Sequence, residues 1–134
     1  MSAAKAMRAR LVGDSTLTGL IAQRIYPGKA PQDPTLPYVV YSRISTTRTP
    51  TLGGPTRVAE ARMQLDIIAT SQASAEQVAN AVRNRLDGYT GTSASVVVLS
   101  SVVEDEQDMS EAIDGSDSLY YRVVMDVLIQ YREV

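Results

Sequence analysis

From Val123 to Tyr131 every second residue is apolar: Val123, Met125, Val127, Ile129 and Tyr131. A helix cannot place such a series on one face, because its neighbours recur at three and four residues. The segment Ser118 to Arg132 therefore reads as a strand with one face against a core. Its other face carries Arg122, Val124, Asp126, Leu128, Gln130 and Arg132. Two of those six, Val124 and Leu128, are apolar, more hydrocarbon than solvent alone requires. A strand of this kind needs a sheet beside it and a cover over its apolar side.

The rest of the chain supplies both. Tyr38 to Ile44 is β-branched and aromatic, and Arg62 to Ile67 alternates polar with apolar, so both read as strands. Their connection, Thr46 to Thr56, is rich in Thr, Pro and Gly and reads as a loop, making the pair a hairpin with a projecting arm. Arg57 to Ala61 extends the second strand, and Ser95 to Val103 forms a third. Helical spacing appears in Ala3, Met7 and Leu11, and again in Leu17, Leu20 and Ile21. Asp14 or Ser15 is placed to cap the second of these helices, and Arg24-Ile25-Tyr26-Pro27 ends it. Four prolines, Pro27, Pro31, Pro34 and Pro37, then enforce an extended irregular stretch. The clearest helix covers 75–87. Val78, Ala81, Val82 and Leu86 form its stripe, Ser74 and Gln77 suit a capping box, Arg83 and Arg85 favour its C-terminal dipole, and Gly88 suits its C-terminal cap. The expected fold is one α+β domain over 1–134: a mostly antiparallel four-stranded sheet with helices packed on one face, in the order α-α-β-β-α-β-β. At 134 residues one core of this kind is feasible without disulfides or metal.

Missing residue types narrow the function. The chain has no His, Cys, Trp or Phe. It therefore has no thiolate nucleophile, no Cys-based zinc site, no Ser-His-Asp triad, and neither the commonest general base nor the commonest metal ligand. Ser2-Ala3-Ala4-Lys5 matches the Ser-x-x-Lys pattern of serine acyltransferases, but the companion Lys-Thr-Gly is absent. Gly13-Asp14-Ser15 lacks the histidine an esterase needs and reads as a helix start. Gly53-Gly54 is not followed by Lys-Ser or Lys-Thr, so it is a hinge in the hairpin, not a phosphate loop. No catalytic residue, cofactor or metal is expected. A net charge of −2 argues against a dedicated nucleic-acid binder. No run of eighteen apolar residues occurs, and the first ten residues, cationic but without an apolar continuation, do not read as a signal peptide.

The charges that are present are segregated. Arginine outnumbers lysine eleven to two, and arginine is the cation favoured in bidentate pairs and at interfaces. Arg24, Arg43, Arg48, Arg57 and Arg62 lie in and around the hairpin half, which also holds Gly53 and Gly54. Glu104, Asp105, Glu106, Asp108, Glu111, Asp114 and Asp117 form a stretch without one basic residue. Carboxylates suit a hard cation, but their spacing does not match a calcium loop, so the stretch reads as a solvated or partner-facing loop. Either the two patches meet between neighbouring subunits, or both are ordinary solvated surface. The first reading makes these fourteen residues the expected interface.

Several segments together resemble a known family. These are Leu17-Thr18-Gly19-Leu20-Ile21 leading to Arg24-Ile25-Tyr26-Pro27, then Ala30-Pro31-Gln32 and Leu36-Pro37-Tyr38-Val39-Val40-Tyr41. Arg62-Met63-Gln64-Leu65-Asp66, Arg83-Asn84-Arg85-Leu86-Asp87-Gly88-Tyr89, Tyr121 to Val127 and Tyr131-Arg132 follow in order. The combination, over nearly the whole chain, resembles the tail completion or tail terminator proteins of siphophages and gene transfer agents. The resemblance implies a structural protein that assembles as a hexameric ring on the head-proximal end of the tail tube. There it stops polymerisation and offers a surface to the head connector. It implies tail-tube and connector proteins as partners, assembly in the host cytoplasm, a place in the virion, no membrane contact, and DNA passing through the lumen without specific binding. Two other readings compete: a different connector component, such as a head-closure or tail-tube subunit, or a small oligomeric ligand-binding α+β domain.

Overall fold

The computed structural model describes residues 3–32, 35–51, 54–94, 96–112 and 119–132. Among them three helices and six strands follow one another. They are α1 (Ala3–Val12), α2 (Ser15–Ile21), β1 (Ile25–Pro27), β2 (Tyr38–Thr51), β3 (Gly54–Ala69), α3 (Gln72–Leu86), β4 (Gly91–Ser93), β5 (Val96–Ala112) and β6 (Leu119–Arg132). The strands form one curled, half-barrel sheet in the order β1-β2-β3-β6-β5-β4. All neighbours are antiparallel except β1 and β2, which run parallel. The expected four-stranded sheet, in the order α-α-β-β-α-β-β, is thus corrected to a six-stranded mixed sheet in the order α-α-β-β-β-α-β-β-β. The two missed strands are three residues each, too short to show a period. Two further corrections lengthen the strands. β2 and β3 run through most of Thr46 to Thr56, with Leu52 and Gly53 outside the described residues. β5 carries the acidic stretch as far as Ala112, with 113–118 outside them.

The centre of the sheet is the β3–β6 ladder, with Met63 opposite Val127 and Leu65 opposite Met125. Ala59, Ala61, Met63, Leu65, Ile67 and Ala69 of β3 face the same way as Val123, Met125, Val127, Ile129 and Tyr131 of β6, and all are buried. Helix α3 lays Ala75, Val78, Ala79, Val82 and Leu86 over them, a stripe at spacings of three and four. Ala3, Ala6, Met7 and Leu11 of α1 and Leu17 and Ile21 of α2 complete the same cluster. Helix α3 begins three residues before its expected start. Ser71 is its N-cap, and its side chain accepts a hydrogen bond from Ser74 N at 3.2 Å. Its other end meets the expectation: Gly88 has φ +78°, the left-handed turn that ends helices after the cap.

Three one-residue register shifts change which residues face the core. They fall between Arg43 and Ser45 in β2, and between Val98 and Ser100 and between Val103 and Asp105 in β5. A bulge inserts one residue and reverses the phase of the alternation. Val96 and Val98 face the core, but beyond the bulge it is Ser101 that is buried, while Val102, opposite Leu128, is exposed. Ile44 and Leu99, the residues skipped at two of the shifts, are exposed for the same reason.

The C-terminal ends of α1 and α3 hold each other. Arg10 Nε donates to Arg85 O at 3.2 Å, and Arg85 Nε donates to Arg10 O at 2.8 Å. Each guanidinium thus satisfies a last-turn carbonyl of the other helix and sits where the helix dipole favours a cation. Gly13 leaves room for the clasp, since a Cβ there would lie 3.2 Å from Arg85 Nη2. Arg10 also stacks its guanidinium 3.9 Å above the centre of the Tyr89 ring.

Candidate assembly surface

The helices cover one face of the sheet, and the registers define the other. Across it run the rows Ser45, Arg62, Leu128, Val102; then Ser42, Gln64, Asp126, Asp105; then Val40, Asp66, Val124, Gln107. Arginine and carboxylate pair between strands on this face. Arg62 Nη1 meets Glu104 Oε2 at 2.8 Å, reaching over β6, and Arg122 Nη2 meets Asp66 Oδ2 at 2.9 Å. Gln64 Nε2 donates to the other Asp66 oxygen at 3.1 Å. These pairs are partly solvated, so each contributes ~0.2–1 kcal/mol. Between them lie half-buried Val124, Leu128 and Ile68. At the β1 side Tyr38 and Val40 are buried, with Tyr26 tilted against Tyr38 at a ring separation of 6.0 Å.

The residues singled out by charge fall in several places in the fold. Arg62 and Glu104, assigned to opposite patches, pair within one chain, and Glu106 pairs with Arg83 of α3 at 2.9 Å. Arg24 is engaged in the fold, its Nε donating to Pro37 O at 3.0 Å ahead of β1. Arg43 and Arg48 are exposed on β2, and Asp105 and Asp108 are exposed on β5. Asp105 accepts from Gln107 Nε2 at 3.1 Å and stands opposite Asp126, a like-charge pair. Asp108 lines a notch of about 160 Å³ with Gln72, Glu76 and Arg122. Gly54 and Arg57 lie in β3 and Glu111 in β5, whereas Gly53, Asp114 and Asp117 fall outside the described residues. Sequence reasoning missed the Asp66–Arg122 pair. Both residues lie on polar faces by alternation, but their meeting depends on the β3–β6 register.

The borders of the sheet are covered only in part. On the β2 side, Val39 N donates to Arg24 O and Tyr41 O accepts from Gly28 N, both at 2.9 Å, so coverage ends at Tyr41. On the β5 side, β4 covers Val96 to Val98. The turn after α3 continues the cover: Ser101 O accepts from Gly88 N at 2.7 Å, and Val103 N donates to Asp87 Oδ1 at 3.0 Å. Among the described residues no strand pairs with the outer border of β2 beyond Tyr41 or of β5 beyond Val103. The same residues contain no group of three His, Cys, Asp or Glu able to hold a metal ion, and no helix long and apolar enough to cross a membrane.

Comparison with known proteins gives three findings. No curated protein sequence matches the chain. Among solved structures, a chain from the virion of a native gene transfer agent particle is similar in fold. Its TM-score is 0.67 and its identity 17%, over 93% of this chain and 92% of that one. A second solved chain matches with a TM-score of 0.54 and 13% identity, over 93% of this chain and 90% of its own. The profile of a phage virion family, the tail completion protein gp17, matches residues 5–132, nearly the full length, and the chain belongs to that family.

Proposed function

We propose that this chain is the subunit of a ring, expected to be a hexamer, that caps the head-proximal end of a phage tail tube. The ring stops tube polymerisation and presents a surface to the head connector. The observation that carries this reading is the family match over residues 5–132. The likeness in fold to a chain of a gene transfer agent virion supports a place in a particle. The shape is suited to it: two long hairpins, β2–β3 and β5–β6, rise from one helix-backed sheet. Assembly would take place in the host cytoplasm with tail-tube and connector proteins as partners. An acidic wall would keep such a ring from holding DNA tightly as it passes. Arg43, Arg48, Arg57, Asp105, Asp108 and Glu111 are the residues of the two patches proposed to serve contacts between subunits or partners.

The test is to mix the purified chain with growing tail tubes, weigh the products in solution and image them by negative stain. The expected result is tubes of arrested length carrying one extra ring at one end. Long tubes built from this chain alone would make it a tube subunit. A chain that neither binds nor shortens tubes would sink the reading.

A further inference from the structure

We infer that neighbouring copies of this chain join edge to edge, the outer border of β2 in one copy pairing antiparallel with the outer border of β5 in the next. The inference rests on the ring reading above and specifies its contact.

The two borders left uncovered among the described residues match in length. Arg43 to Thr51 is nine residues and Asp105 to Ala112 is eight, each ~25–30 Å of extended chain. Their backbone groups are a template for another strand, and native proteins normally cover such borders. This chain does cover the remainder, with β1, β4, Gly28, Asp87 and Gly88. The borders also carry opposite charge. Arg43 and Arg48 are exposed on β2, and Asp105 and Asp108 on β5. Pairing β2 with β2, or β5 with β5, sets like charges together, whereas β2 with β5 sets unlike charges together. The pattern therefore selects against two-fold dimers and for a head-to-tail contact, the kind that closes into rings.

Strand direction agrees. In one subunit β2 and β5 run in opposite senses, because three antiparallel pairings separate them. Side-by-side copies in the same orientation therefore bring β2 against an antiparallel β5. The borders lie at opposite corners of the sheet. Thr47 is level with Glu60 and Gln130, and Asp108 is level with Val123, an offset of 130 − 123 = 7 residues along β6, or ~23 Å. A closed ring takes up such an offset by tilting its strands against the ring axis. Side-by-side copies also extend the open sheet face from one subunit to the next.

The experiment uses the full chain with tail tubes and three variants: Arg43→Glu with Arg48→Glu, Asp105→Lys with Asp108→Lys, and all four together. Circular dichroism first confirms that each folds. The expected result is that each double variant needs about tenfold or more chain for half-assembly, and that the fourfold variant recovers most of the loss. In assembled wild type, amide exchange across 43–48 and 105–111 should slow relative to the monomer. Wild-type rings whose assembly ignores all three variants, or whose border amides stay unprotected, overturn the edge contact and leave the tail-cap reading standing. A wild-type chain that never assembles, tubes included, overturns both.

Discussion

Ser101 shows what a single bulge does to a single side chain. It is 3% exposed, and its Oγ has no hydrogen-bond partner among the described residues. A buried hydroxyl without a partner has lost its water and gained nothing in return. Its backbone is not at fault, since Ser101 O holds Gly88 N. Ser101→Ala removes the stranded oxygen and keeps every backbone contact, so it is expected to stabilise the chain by about 1 kcal/mol. An equilibrium urea titration reads this as a higher midpoint at unchanged slope. A lower midpoint would mean the hydroxyl has an ordered water or another partner.

At the scale of elements, the α1–α3 clasp joins segments seventy-five residues apart through two arginines. Arg85→Ala leaves Arg10 O without its donor and is expected to cost ~1.5–3 kcal/mol, the range for hydrogen bonds to charged groups. Arg85→Lys should recover only part of that, because an ammonium lacks the fixed Nε geometry of the guanidinium. Thermal melts of the two variants check the order; equal melting temperatures would assign the effect to charge alone. The helices themselves were legible, since α1, α2 and α3 follow an apolar spacing that helix geometry imposes. The alternation in β6 and in the Arg62 to Ile67 part of β3 was legible for the same reason. β1 and β4 were not, because three residues carry no period. The acidic part of β5 was hidden more deeply: its composition resembles a loop, yet its backbone pairs with β6 from Asp105 to Ala112. Strand propensity yields to cross-strand pairing there. Of the candidate surface, the charge segregation was readable but the pairing was not, since Arg62 and Glu104 meet only through the order β3-β6-β5.

For the whole molecule, the β2–β3 hairpin separates stability from assembly. The core cluster reaches toward the hairpin's end as far as Ala59, opposite Arg48. Beyond that level the ladder continues through Pro50–Pro55 and Thr51–Gly54 as two strands, the last described β3–β6 pair on that side being Val58–Arg132. Replacing residues 49–56 by Asn-Gly leaves a four-residue connection, Asn-Gly-Arg57-Val58, between the paired Arg48 and Ala59, a length that hairpins use. It should therefore leave the unfolding free energy within ~0.5 kcal/mol of wild type. If the outer border of β2 is a subunit contact, the same change removes a third of it, because Thr49 to Thr51 are three of its nine residues. Assembly on tail tubes should then weaken while the monomer melts normally. Unfolding by denaturant and sedimentation of the tube-bound fraction measure the two quantities on one sample. A trimmed chain that assembles as wild type does would confine the contact to the Arg43–Arg48 segment or remove this hairpin from assembly. A trimmed chain that unfolds early would mean that the arm supports the core from outside it, and the separation of roles would fail.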